Sequence, residues 1–188
     1  MDYYSKVIAE IAGVFKIVPL TPFRHTPGVF FDLVPAGLVG RISAIDRVVH
    51  EHGAVSPGPV GDVDRPWYMH PNQDDNLIVM AGSRHVDLYR KQHGRIESFV
   101  VTPREIRRNG ELLFEGSAML VWPRGVFHRI VSGEQGSASL NFAVHYPGFD
   151  LGTNFSIYRL DPASGDFAVI REGYRDQYDY TEVSAPTE

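Results

Sequence analysis

The sequence predicts an all-β protein, built as a sandwich, jelly roll or barrel, and three observations support this. Ten short apolar runs follow one another after residue 20, separated by Gly, Pro and Asn-Gly turn residues. One Asn-Gly pair, Asn109-Gly110, stands between two of these runs, as in a tight β-hairpin. The 3.6-residue periodicity of amphipathic helices is weak beyond residue 20. Closed or stacked antiparallel sheets accommodate this many short strands.

One helix is predicted, at the N-terminus. Its apolar residues recur at steps of three and four and form one face: Tyr4, Val7, Ile8, Ile11 and Phe15. Pro19 and Pro22 end it. We expect the helix and its lead-in over residues 1–22, where it covers an open sheet face or a dimer contact. A barrel over 23–160 and a C-terminal extension over 161–188 complete the predicted organisation.

The predicted strands are apolar runs bounded by turn residues. Asn109-Gly110 joins two of them directly, and the polar segment 132–139 reads as a longer turn between two others. The ten runs cover residues 28–35, 40–50, 76–82, 85–90, 96–103, 110–116, 117–123, 127–133, 137–146 and 153–161.

Composition excludes several classes of function. Of 188 residues, 43% are hydrophobic, which is enough for a core, and the net charge of −5 disfavours binding to nucleic acid. The absence of cysteine excludes disulfides and thiolate chemistry. The N-terminus lacks the basic region of a signal peptide, and no apolar run approaches the roughly 18 residues of a membrane span. We expect a cytoplasmic protein that binds neither nucleic acid nor membranes.

Two stretches place polar residues beside buried strands. The segment WYMHPNQDDNLIVMAG has the spacing Tyr68-x-His70-x4-Asp75-x6-Gly82. The segment AMLVWPRGVFHRIVSG contains Pro123-x-Gly125-x-x-His128, in which the Pro and Gly form a tight turn that presents the histidine from the start of the next strand.

In this order the two stretches resemble the two motifs of the cupin superfamily, over about residues 30–160. The second motif is intact, although Ser132 replaces a usual asparagine. In the first motif, His-x-His-x3–4-Glu-x6-Gly, Tyr68 replaces a histidine and Asp75 the glutamate. The resemblance implies a conical jelly-roll barrel (a double-stranded β-helix) with its site inside, commonly paired as a homodimer. Residues 70–89 are also similar to a strand pair of the dTDP-4-dehydrorhamnose 3,5-epimerases.

If the barrel forms, His70, Asp75 and His128 converge near one mouth. Two histidines and a carboxylate with open positions suit Fe(II) or a similar divalent ion, here Fe, Mn, Ni or Zn. Gln73 is an alternative ligand to the aspartate. The leading hypothesis is a small-molecule pocket that holds a divalent metal, in a metal-dependent oxygenase or isomerase.

The same residues support two other hypotheses. In a metal-free carbohydrate epimerase, His70 or His128 acts as the base and Tyr68 as the acid. In a non-catalytic cupin, the pocket binds or senses a ligand. A separate pair, His50-x-His52, is interpreted as solvent-facing imidazoles on an edge strand, since no acidic residue follows at the motif spacing.

Overall fold

A computed structural model describes residues 7–178 of the chain. These residues form fifteen strands, one α-helix and two 3₁₀ turns. The strands are β1 (Ala9–Ile11), β2 (Phe15–Pro19), β3 (Thr21–Thr26), β4 (Val29–Leu33), β5 (Ala44–His50), β6 (Val55–Ser56), β7 (Trp67–Met69), β8 (Gln73–Tyr89), β9 (Ile96–Val101), β10 (Glu105–Arg108), β11 (Glu111–Glu115), β12 (Ala118–Trp122), β13 (Phe127–His145), β14 (Ile157–Asp161) and β15 (Asp166–Arg171). The helix α1 is Leu151–Asn154, and the 3₁₀ turns are Ala36–Leu38 and Gly173–Asp176.

Thirteen strands form one antiparallel sheet, and β3 pairs only with β4 in a separate hairpin. The sheet is organised around β8 and β13, which pair from Gln73–His145 at one end to Tyr89–Phe127 at the other. Each of these long strands joins two predicted short runs, because the polar segments between the runs bend without leaving the sheet. The predicted all-β jelly-roll architecture is confirmed.

The two long strands bend together at one corner. The register between them shifts from Ser132 to Ser137, and Gly82 and Gly136 meet there with φ values of 68° and 71°. A Cβ atom on Gly82 would lie 1.9 Å from the Gly136 carbonyl oxygen, so only glycine fits this close approach.

The main hydrophobic core packs β2, β8, β9 and β12 against one another. Its buried members include Phe15, Ile17, Leu77, Val86, Leu88, Phe99, Leu120 and Trp122. Full burial of such side chains stabilises a fold by ~1.5–3 kcal/mol each. This core holds the strands that carry the two motifs in a fixed register.

The prediction of an N-terminal helix is wrong for the described residues. From residue 7 onward the chain forms β1 and β2, joined by a turn in which Gly13 has a φ of 74°. The β2 strand pairs with β12, and Phe15 and Ile17 point into the core. Apolar residues alternate as well as recur at helical steps here, and pairing with β12 decides between the two patterns. Tyr4, also assigned to that helix, lies outside the described residues.

Beyond the barrel motifs, the chain continues in the sheet. The β14 strand pairs with β7 on one side and with β15 on the other, so residues 166–171 extend the sheet. Within residues 7–178, no helix has the length and apolar character required to cross a bilayer.

Candidate active site

The two sequence motifs meet at a cavity of about 260 Å³. His70 directly follows β7, and β7 pairs with β13 so that Tyr68 lies opposite His128. The turn of the second motif is tied to the first, because the Gly125 amide donates to the His70 carbonyl oxygen at 2.9 Å. Asp75 enters from β8. The structure thus brings one ligand-type atom each of His70, Asp75 and His128 within 4.8 Å of one another.

The two carboxylate oxygens of Asp75 have different surroundings. Its Oδ1 accepts hydrogen bonds from Gln73 Nε2 at 2.7 Å and from Asn141 Nδ2 at 2.6 Å. Its Oδ2 is buried without a hydrogen-bond partner among the described residues and lies 3.5 Å from His70 Nε2. Burial raises the pKa of this carboxyl, and the nearby His70 together with the two amide donors offsets part of that rise.

The hydrogen bond at the other ring nitrogen fixes the tautomer of His70. Nδ1 lies 2.6 Å from the Asn154 carbonyl oxygen, and a carbonyl only accepts, so Nδ1 carries the hydrogen. A neutral His70 therefore turns the lone pair of Nε2 toward Asp75 Oδ2. Two facing lone pairs repel unless a proton or a cation lies between them, so this pair is a site for one or the other.

His128 lies next to this pair. Its ring centroid is 4.7 Å from that of His70, 5.2 Å from that of Trp122 and 5.9 Å from that of Tyr68. Burial, followed by repulsion from His70, lowers the pKa of His128 well below its usual value. His128 is therefore a neutral imidazole at neutral pH, and its only hydrogen bond among the described residues is a long one of 3.4 Å from Nδ1 to the Val126 carbonyl.

Gln73 and Asn154 hold the pair in place. The Gln73 amide donates to Asp75 Oδ1 and its Oε1 accepts from Asn154 Nδ2 at 3.2 Å, so both ends of this side chain are used. Asn154, fully buried at the end of α1, was missed by sequence reasoning. No sequence signal singles it out, because it stands in a mixed segment, GTNFS, and no local pattern brings it to His70, 84 positions away.

Of the pair His50 and His52, which are interpreted from the sequence as solvent-facing, only one residue fits that interpretation. His52 is exposed, as predicted, but His50 lines the cavity, and its Nδ1 is buried with no partner among the described residues. His145 stacks on Phe149 at 3.5 Å and is not part of the cavity wall, whereas Asn141 is.

The donor atoms fit a divalent cation. His70, Asp75 and His128 are all buried, and Asp75 Oδ2 has no hydrogen-bond partner within residues 7–178, so its lone pairs are available. Gln73 fits less well as a ligand, because its oxygen already accepts from Asn154.

This sheet, with its cavity between the two motifs, is the cupin fold of RmlC type. Solved structures with this fold include a dTDP sugar isomerase from Desulfovibrio desulfuricans, with 15% identity and a TM-score of 0.54 over 74% of this chain and 85% of that one. Another is the rmlC epimerase of Mycobacterium tuberculosis, with 13% identity and a TM-score of 0.53 over 76% of this chain and 69% of that one.

A third similar structure is a variant of the 3,4-ketoisomerase QdtA from Thermoanaerobacterium thermosaccharolyticum in complex with TDP-4-keto-6-deoxyglucose. It has 11% identity and a TM-score of 0.51 over 75% of this chain and 85% of that one. No protein-family model matches the sequence, and no curated protein matches it. At these identities the likeness concerns the fold.

Proposed function

We propose that the protein is a carbohydrate isomerase or epimerase that moves a proton at the carbon next to a sugar carbonyl. The observation that carries the proposal is the buried His70–Asp75 pair beside a neutral His128. The pair holds a proton while the second histidine accepts one, and proton transfer within a substrate needs both roles. The likeness of the fold to a sugar isomerase and an epimerase supports the same chemistry.

In this proposal His128 is the general base. Both nitrogens of His70 are engaged, one with the Asn154 carbonyl and the other with Asp75, whereas Nε2 of His128 has no protein partner among the described residues. His128 takes the proton from the carbon beside the carbonyl, and the electron pair of the broken C–H bond moves onto the carbonyl oxygen. The product of this step is an enolate and an imidazolium.

The proton held at His70 Nε2 or Asp75 Oδ2, which lie 3.5 Å apart, hydrogen-bonds to the enolate oxygen and stabilises its charge. Return of a proton to the same carbon from the opposite face gives the epimer; Tyr68 is the donor for that step, and a proton then passes from the His128 imidazolium to the Tyr68 phenolate to restore both groups. Burial raises the pKa of Tyr68, so its hydroxyl keeps its proton at neutral pH. Return of the proton from His128 to the former carbonyl carbon gives the isomer instead, provided that the enolate oxygen takes the proton held by the His70–Asp75 pair and the hydroxyl on the first carbon gives its proton back to that pair.

The cavity limits the size of the reacting group. Pockets for drug-sized ligands occupy roughly 300–1,000 Å³, and this cavity has about 260 Å³. A single sugar ring suits that volume, so the nucleotide of a TDP-linked sugar would lie outside it. We therefore propose a keto sugar as the reacting group, free or linked to a nucleotide.

A divalent cation held by His70, Asp75 and His128 is the second candidate, favoured by the unpartnered Asp75 Oδ2. A bound cation would polarise a substrate carbonyl, as in a metal-dependent isomerase or oxygenase. Elemental analysis of the purified protein beside a His128→Ala variant tests it. Near-stoichiometric Fe, Mn, Ni or Zn that the variant loses supports the metal site, and no metal in either after reconstitution rejects it.

Hydrogen exchange tests the isomerase proposal. The protein is incubated in D2O with free and TDP-linked keto sugars, TDP-4-keto-6-deoxyglucose among them, and deuterium at the carbons beside the carbonyl is followed by NMR. We expect exchange that His128→Asn reduces by about 10²–10⁴-fold. The exposed His85, changed to Asn, is the matched control and should not alter the rate. Absence of exchange with every keto sugar would reject the proposal.

The homodimer also stays a proposal. The β3–β4 hairpin stands apart from the main sheet and exposes Phe23, Phe30 and Phe31 by 58, 80 and 36%. Exposed aromatic clusters of this kind are frequent at interfaces. Light scattering should give a mass twice that of the 21.1 kDa chain, and a monomer mass at micromolar concentration would reject the dimer.

A further inference from the structure

Arg84 is a buried cation on the wall of the cavity. It lies on β8 just after the glycine corner and is only 1% exposed. Its Nε donates to Ser137 Oγ at 3.0 Å and its Nη2 to the Val48 carbonyl at 3.1 Å. Both acceptors are neutral, and they hold the guanidinium in one orientation. The N–H groups of Nη1 and the second N–H group of Nη2 form the outer edge of the guanidinium. They have no protein acceptor among the described residues.

Arg84 has no carboxylate partner within residues 7–178, since none of the ion pairs there includes it. Burial alone lowers the pKa of its guanidinium, to about 10, and no acidic group offsets that effect. A buried charge is costly unless it is paired, so an arginine in this position needs an anion that the protein does not supply.

His50 gives a second, independent observation at the same place. It lines the cavity, and its buried Nδ1 has no partner among the described residues. Burial, and then the charge of Arg84, lower the pKa of His50 to about 4, so it is neutral at neutral pH and presents either a lone pair or an N–H group. This side of the cavity therefore presents the outer edge of the Arg84 guanidinium and the Nδ1 atom of His50, neither with a protein partner among the described residues.

Arg84 and His50 lie at one end of β5, and the acidic residues Asp46 and Asp75 lie toward the other end. Asp46 lies opposite Asn141, which bonds to Asp75, and His50 lies opposite Ser137, which bonds to Arg84. The four residue steps from Asp46 to His50 span about 13 Å of extended chain. The cavity is thus acidic at one end and basic at the other.

We propose that Arg84 binds a carboxylate of the ligand, which makes the substrate a sugar acid. The assignment rests on the proposed function for the sugar and for its place between His70 and His128. A carboxylate fits the outer edge of the guanidinium through two parallel hydrogen bonds and supplies the missing charge. A carboxylated sugar ring fits within about 260 Å³, whereas a nucleoside diphosphate exceeds that volume.

Calorimetric titration of the full-length protein tests the assignment. The probes are D-glucuronate, neutral D-glucose as its matched control, inorganic phosphate and TDP. We expect D-glucuronate to bind at least tenfold more tightly than D-glucose, and Arg84→Gln to abolish that preference. Arg159→Gln removes an arginine that is exposed on β14 and should leave the preference unchanged.

If Arg84→Gln does not fold, an NMR measurement on the wild-type protein tests the same assignment. The ¹⁵Nε–Hε resonance of Arg84 in the wild-type protein should shift on addition of D-glucuronate and not of D-glucose. Equal binding of both sugars, or binding that Arg84→Gln leaves unchanged, overturns the assignment. So does binding of phosphate or TDP that requires Arg84 when D-glucuronate does not bind.

The outcomes separate this inference from the proposed function, because binding is measured without turnover. D-Glucuronate that binds through Arg84, together with no hydrogen exchange on any keto sugar, supports the anion site and rejects the isomerase. Hydrogen exchange on keto sugars that proceeds unchanged in Arg84→Gln, with no preference for the acid, rejects the anion site and keeps the isomerase.

Discussion

Two buried carboxylates in this protein have opposite surroundings. Glu97 on β9 is fully buried, and both of its oxygens accept hydrogen bonds: Oε1 from Arg95 Nε at 2.8 Å, and Oε2 from Arg108 Nε at 2.8 Å and Asn109 Nδ2 at 3.0 Å. Asp75 on β8 is also buried, yet in the part of the chain that the structure describes its Oδ2 faces His70 and has no hydrogen-bond partner.

The two pKa values diverge accordingly. Burial acts to raise the pKa of Glu97, but hydrogen bonds from Arg108, His93, Asn109 and Arg95 outweigh it and lower the pKa to about 2. For Asp75, burial prevails and raises the pKa. Glu97 is therefore compensated within the fold, whereas the charge of an ionised Asp75 is compensated only in part, which is typical of a functional site.

The largest expected effect is on activity, from Asp75→Asn. The amide keeps an oxygen for Gln73 and Asn141 and turns its NH2 toward His70 Nε2, but it cannot share a proton with the histidine. The rate of deuterium exchange at the substrate carbon should fall about 10²-fold. The urea concentration at the midpoint of unfolding should not decrease. Asp74→Asn, one residue away and outside the cavity wall, is the control. A loss of stability with unchanged exchange would make Asp75 a structural residue.

The second effect is on stability, from Glu97→Gln. The substitution places an NH2 group against arginine donors and leaves their charges without a counter-ion. We expect the free energy of unfolding to fall by about 2 kcal/mol. The rate of deuterium exchange into the substrate, per folded protein molecule, should not change. Glu105→Gln removes a partly exposed pair with Arg107 and should cost less than about 0.5 kcal/mol. Equal losses in the free energy of unfolding for Glu97→Gln and Glu105→Gln would contradict the view that Glu97 is a buried carboxylate compensated by its donors.

The smallest effect is on the pH dependence of stability, and its sign differs between the two residues. Because the folded pKa of Glu97 is depressed, its contribution is complete above pH 4.5 and is lost as the pH falls toward about 2. Because the folded pKa of Asp75 is raised, ionisation of Asp75 lowers stability as the pH rises above 3.8.

Urea unfolding between pH 3 and 8 should therefore show Glu97→Gln converging on the wild type at low pH. The Asp75→Asn variant should instead gain stability relative to the wild type at high pH. If the free energy of unfolding of both variants runs parallel to that of the wild type across this pH range, neither carboxyl has the surroundings described above.

Much of the fold could be predicted from the sequence because strand runs and turn residues are local signals. The turn at Asn109-Gly110 and the bend at Gly82 follow from positive φ values that those residue types tolerate. The N-terminal strands could not be distinguished from a helix, since Ile8, Ile11 and Phe15 recur at helical steps while Phe15 and Ile17 alternate as in a strand. A distant partner, β12, decides between the two.

The site divides in the same way. The spacing of His70, Asp75 and His128 follows two short motifs, so their approach could be expected from the sequence. Asn154 and Arg84 could not be identified, because their significance depends on contacts across the barrel that no local pattern records.

The hydrogen bond from the Gly125 amide to the His70 carbonyl joins the two motifs through main-chain atoms alone. Since no side chain takes part in this link, substitutions at Tyr68, Asp75 or His128 leave it intact. The scaffold and its reactive groups are therefore separable in evolution. We therefore expect Tyr68→His combined with Asp75→Glu to change the donor atoms at the cavity without rebuilding the barrel.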